Sequence, residues 1–114
     1  MLSSIQTQPA SLTPIQSLRF FWKCANVDSN CRQPKRALVL LRQVRDAIGV
    51  TGIAVKANDT AGINEARKML EDLRGKIRCE INFTVWPYHK VPDAVFDARD
   101  IVVAALGTIS HLGK

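Results

Sequence analysis

Few residues in this chain have side chains that do covalent or metal chemistry. Cys24, Cys31 and Cys79 are the thiols, and His89 and His111 the imidazoles. A dithiol redox pair wants Cys-x-x-Cys, so that one thiolate is stabilised and its partner is in reach. Six residues separate Cys24 from Cys31, so that motif is absent. Cys79 lies in an alternating apolar run and reads as core. No paired short spacing joins Cys24, Cys31 or His89 into a zinc site. Neither histidine has a Ser or Cys placed for a triad, and Gly49 and Gly52 fit no phosphate-loop pattern. The neighbouring carboxylates Glu71 and Asp72 read as helix-surface ion-pair partners (Arg67–Glu71, Lys68–Asp72). The expectation is a protein with no catalytic residue, no metal, no cofactor and no small-molecule substrate.

Cations are what remain. The chain has 16 Lys and Arg against 10 Asp and Glu, a formal net charge of +6. Residues 1–18 carry no charge, and residues 46–114 carry nine of each sign. The whole excess lies in residues 19–45, where Arg19, Lys23, Arg32, Lys35, Arg36, Arg42 and Arg45 face one acid, Asp28. Concentrated positive charge is the footprint of a polyanion partner, nucleic acid or an anionic membrane. Arginine predominates, and a planar guanidinium holds phosphate with two hydrogen bonds and stacks on bases. These seven residues are the candidate RNA-binding set, directed at phosphates rather than base edges.

Length and composition bound the elements that position them. At 114 residues, 46 % apolar and 23 % charged, the chain suits one globular domain. No run of 18 uncharged apolar residues occurs, so no membrane insertion is expected. Three cysteines without regular spacing suit a reducing compartment. Residues 1–17 are polar, uncharged and hold two prolines. They read as an N-terminal extension, ahead of a single α/β domain over 18–114.

Alternation in 18–24 predicts a strand, followed by a polar loop. Pro34 opens a first helix over 34–48, with Ala37, Leu40, Leu41, Val44, Ala47 and Ile48 inward and Gly49 as its stop. Residues 52–57 read as a short strand. Asn58-Asp59-Thr60 caps a second helix with Ile63, Ala66, Met69, Leu70 and Leu73 inward, ending at Gly75. Ile77, Cys79, Ile81, Phe83 and Val85 alternate with polar residues as a strand. Residues 94–97 read as a further brief strand. Asp97 caps a last helix with Ile101, Val102, Ala105, Ile109 and Leu112 inward. The order β-α-β-α-β-β-α is that of a thioredoxin-like sheet flanked by helices, with a ferredoxin-like β-α-β-α-β and a C-terminal extension as the alternative.

Two resemblances follow from these residues. LRFFWKCANVDSNCRQPKRALVLLRQV, and AVFDARDIVVAAL with Phe96, Asp97 and Ala98, resemble the thioredoxin-like mitochondrial large-subunit ribosomal protein family numbered fifty-three. VKANDTAGINEARKMLEDLRGKIRCEI, with Asp59-Thr60 at its cap, is similar to the universal large-subunit ribosomal protein family numbered thirty. Both imply a non-catalytic part of a large ribosomal subunit, held by ribosomal RNA and neighbouring ribosomal proteins. The first places it in the mitochondrial matrix. A cleaved presequence is not expected, since no Arg precedes Arg19. Two other classes stay open: a thioredoxin-like thiol redox protein using Cys24, and an accessory subunit of a respiratory membrane complex.

Overall fold

A computed structural model describes residues 13–26 and 33–113. Among them there is no strand, and 81 % are helical. The helices are α1 (Pro14–Cys24), α2 (Lys35–Lys56), α3 (Thr60–Phe83) and α4 (Asp93–Ile109), with a 3-10 turn at Pro87–His89. The expected thioredoxin-like α/β sheet, and the ferredoxin-like alternative, are therefore both overturned.

Each predicted strand gives way to a helix for a local reason. Residues 18–24 alternate, but they also carry the helical stripe Ser17, Leu18, Phe21, Ala25, and those are the residues buried. Thr13 opens α1 with a capping box. Its hydroxyl accepts from Gln16 N–H, and the Gln16 side chain accepts from Thr13 N–H. Pro14 follows at N1. Residues 14–17 thus belong to the bundle, and residues 1–12 lie outside the described part.

Gly49 does not stop α2. The inward stripe runs past it through Thr51 and Ala54, and the Thr51 hydroxyl is satisfied within the helix by the Ala47 carbonyl at 2.7 Å. The real stop is Asn58, left-handed at φ 52°. Asp59 N–H bonds to Ala54 O and Asn58 N–H to Val55 O, which is a Schellman closure. Asp59 then caps α3 as expected, its carboxylate accepting from Gly62 N–H at 3.1 Å.

Likewise α3 passes through Gly75. Its buried residues Ile63, Ala66, Leu70, Ile77 and Glu80 keep helical spacing to the end. Cys79 and Met69 are consequently exposed, and Phe83 and Val85 stand 81 % and 80 % exposed. Four residues expected to be buried therefore face out. Asp97 does not cap the last helix either. That helix starts at Asp93 behind Pro92, and residues 94–97 are its first turns.

Consecutive helices run antiparallel. Arg36 meets Glu80 and Gln43 meets Lys76 across α2 and α3, and Arg67 on α3 reaches the carbonyls of Ile109 and Leu112 at the end of α4. Arg67 is thus a tertiary cap, donating also to Asn64, rather than a partner for Glu71. α2 and α4 touch each other and both remaining helices, which hold α1 and α3 on opposite sides of that pair. The core gathers Leu18, Phe21, Leu41, Val44, Ile48, Leu70, Ile77, Trp86, Val95, Ile101, Val102 and Ile109. Alanines at Ala37, Ala47, Ala94, Ala98 and Ala105 let the helices approach closely.

Candidate nucleic-acid interface

The site is built from one ridge on each of two helices. On α2, Arg42, Arg45, Gly49, Gly52 and Lys56 recur at intervals of three and four, so they lie in line along one side. On α1, Ile15, Arg19 and Trp22 do the same, with Lys23 beside them. The two ridges flank a groove of about 240 Å³ lined by Ile15, Leu18, Arg19, Trp22, Ile48, Gly49, Gly52, Ile53 and Lys56. Its floor is apolar, and the lysine and arginine stand on its rim.

Two glycines open the groove. A Cβ on Gly49 would sit 3.7 Å from Trp22 Nε1, and one on Gly52 would meet nothing within 4 Å. The Arg45 guanidinium lies close over the Trp22 ring, its Cζ 3.7 Å from the centroid. Arg45 Nε is buried with no hydrogen-bond partner among the described residues, so the indole face is its compensating contact. Trp22 keeps 39 % of its surface open. Alternation predicts it on the buried side of a strand; it stands at the groove instead.

The predicted cations divide into two places. Arg19 lines the α1–α2 groove and Arg45 stacks on Trp22 beside it, while Lys23 and Arg42 are exposed on the same two helices. Arg36 does not join them. It forms a two-point ion pair with Glu80, Nε to Oε2 at 2.9 Å and Nη2 to Oε1 at 2.8 Å. Thr84 donates to the same carboxylate, and Trp86 Nε1 donates to the Glu80 carbonyl. The guanidinium beside Glu80 holds its carboxyl below the usual value. Lys35 is exposed at the start of α2, near Arg36 in sequence. Arg32 lies outside the described residues. Lys56 is absent from the predicted set because it lies in residues 46–114, where the charges balance; continuing the spacing 42-45-49-52 by four finds it. Across the described part of α1 and α2, seven basic residues face a single acid, Asp46.

The thiols have no comparable setting. Cys24 ends a helix rather than a strand, and burial pushes its thiol up, away from the reactive thiolate. Cys31 lies outside the described residues. His89 and His111 are exposed. Among the described residues no three His, Cys, Asp or Glu side chains gather to hold a metal, and no helix is long and apolar enough to cross a membrane. Comparison with protein-family models, curated proteins and solved structures finds no match to this chain.

Proposed function

We propose that the protein is a nucleic-acid-docking module, and that the α1–α2 face binds single-stranded or looped RNA through its phosphates. The observation that carries this is the ridge of cations around an exposed indole with an arginine stacked on it. Basic grooves that track a backbone, with aromatic faces on which bases stack, are the usual means of sequence-tolerant single-strand binding. The arrangement needs no catalytic group. Arg19, Lys23, Arg42 and Lys56 meet phosphates, while Trp22 and Arg45 offer a stacking surface.

Binding of a fluorescent single-stranded RNA, followed by anisotropy across a salt series, is the test. Four phosphate contacts give a log–log salt slope of about −3. Combined change of Arg19, Lys23, Arg42 and Lys56 to Gln is expected to weaken binding about tenfold or more and flatten that slope. Unchanged affinity, or affinity indifferent to salt, overturns the reading.

A second reading rests on a different observation. Ile53 is 72 % exposed beside the cations, with Val50 one turn back, and apolar side chains ringed by basic ones also suit an anionic lipid surface. Sedimentation with phosphatidylglycerol vesicles, in the absence of RNA affinity, favours that reading over the first.

The large subunit of the mitochondrial ribosome is one setting that offers such RNA. The resemblances that suggest it are to sheet-containing families, so they no longer support it, and the basic face has to stand alone. Co-sedimentation of the tagged protein with large-subunit RNA after a high-salt wash decides the setting. Sedimentation with inner-membrane complexes instead points to the respiratory accessory role. The Cys24 redox role has lost its fold, and burial pushes the Cys24 thiol up rather than down.

A further inference from the structure

A second cationic groove lies between α3 and α4. Arg74, Arg78 and Arg99 line it together with Ile81, Asn82 and Val103, around a volume of about 370 Å³. All three arginines lie outside residues 19–45, in a stretch whose charges balance, so composition does not single them out. Arg74, Arg78 and Asn82 are successive turns of α3 on one side, and Arg99 and Val103 face them from α4.

Arg74 and Arg78 are like charges one turn apart, a placement that costs a helix stability unless something lies between them. Among the described residues neither has an ion pair or a hydrogen bond. Arg99 is held in place by its own neighbours: its guanidinium stands 5.2 Å from the Phe96 ring centroid and donates to Asp100 at 3.3 Å. One oriented guanidinium thus faces two unpaired ones, over the apolar side chains of Ile81 and Val103.

We infer that this groove binds a small phosphate-type dianion, with Arg74 and Arg78 clasping the phosphoryl oxygens from α3 and Arg99 from α4. Guanidinium forks match phosphate oxygens in pairs, and the dianion relieves the Arg74–Arg78 repulsion. Asn82 adds an amide donor. Free phosphates and phosphomonoesters share this chemistry. Ile81 and Val103 give the organic body of an ester an apolar surface, which a free phosphate does not use. The site is independent of the α1–α2 face and stands or falls separately.

Titration calorimetry of the full chain at low salt, with inorganic phosphate, adenosine monophosphate and adenosine as probes, tests it. Inorganic phosphate and the monophosphate are expected to bind and adenosine not to. The tighter of the two phosphates identifies the source. Arg74→Lys with Arg78→Lys preserves net charge but removes the forks, and is expected to lose at least about fivefold in affinity. The Lys68→Gln, Lys90→Gln variant removes two exposed charges outside both grooves and is expected to bind as the parent does. Lysine variants that bind as well as the parent, or equal loss in the Lys68→Gln, Lys90→Gln variant, reduce the effect to unspecific charge and overturn the proposal. So does an absence of heat with both phosphates. Both altered arginines are exposed on α3, and an unchanged helical circular dichroism spectrum confirms that the variants fold.

Discussion

At the scale of single residues, two carboxylates have been pushed in opposite directions, and each direction has a measurable consequence. Glu80 is buried beside Arg36, and its carboxyl titrates below its ordinary value of about 4.5 chiefly because of that hydrogen-bonded guanidinium. A folded-state value below the unfolded one means stability that is present above pH 4.5 and lost as pH falls through the folded value. Asp97 is the reverse. Burial, then the neighbouring Asp93 and Asp100, raise it above its ordinary 3.8. Ionising it disfavours the fold, so stability declines as pH rises from 3.8 through the raised value. Asp97→Asn is therefore expected to raise the melting temperature at pH 7 and to lose that advantage below pH 3.8. Glu80→Gln is expected to lower it at pH 7 and to narrow the gap with the parent in acid. Melting curves at pH 3, 5 and 7 for both variants check the pair; the same sign for both at pH 7 contradicts the placement of one of them.

These residues also show why the site is only half legible in the sequence. Arg19, Lys23, Arg42 and Arg45 are identifiable because charge concentration survives without knowing the fold. Arg36 is not separable from them, because its partner Glu80 lies 44 positions away. A long-range ion pair leaves no trace in local pattern.

At the scale of elements, the glycines separate the helical bundle from the expected sheet. A glycine that closes a helix takes a left-handed conformation, and alanine there is costly. Gly52 and Gly75 are interior to α2 and α3, and a Cβ at either meets nothing within 4 Å. Gly52→Ala and Gly75→Ala are each expected to stabilise the protein, by about 0.5–1 kcal/mol, through helix propensity. Chemical denaturation measures this. Destabilisation by Gly75→Ala restores the break at that position and refutes the continuous α3. Gly113 is the contrasting case. It closes the chain after α4 at φ 76°, and a Cβ there would lie 3.0 Å from atoms of Ile63 and Asn64, so a side chain is strained as well as crowded.

Helix existence is legible wherever period and cap agree. The inward stripe 37-40-41-44-47-48 is buried as expected, and so are 101-102-105-109, while Leu112, expected with them, is half-buried beyond the end of α4. Alternation misleads where a run satisfies both periods. In 76–85, alternate positions are apolar, yet Ile77 and Ile81 are also one turn apart. The Thr13–Gln16 capping box is a local signal for α1 that the alternation in 18–24 conceals.

For the whole molecule, α2 is central, as α4 is, since it packs against every other helix. Leu41 is fully buried on it. Leu41→Ala is expected to cost about 2–5 kcal/mol and to lower a single cooperative transition in far-ultraviolet circular dichroism. Separate transitions for the α1–α2 hairpin and the rest contradict one shared core. Phe83→Ala, on an exposed side chain, is expected to change stability by under about 0.5 kcal/mol.

The sequence alone determined which residues are charged, that the excess lies in 19–45, that thiols and imidazoles have no catalytic spacing, and where two of the helical cores lie. These are properties of composition and local period, and they need no partner across the chain. Only the tertiary structure decided that helices continue through Gly49 and Gly75, because burial by distant helices outweighs the propensity cost of a glycine. It alone withdrew Arg36 to Glu80, brought Lys56 and Trp22 to the α1–α2 groove, and set Arg99 opposite Arg74 and Arg78. Each of those outcomes joins residues far apart in the chain, and helix packing is what brings them within reach.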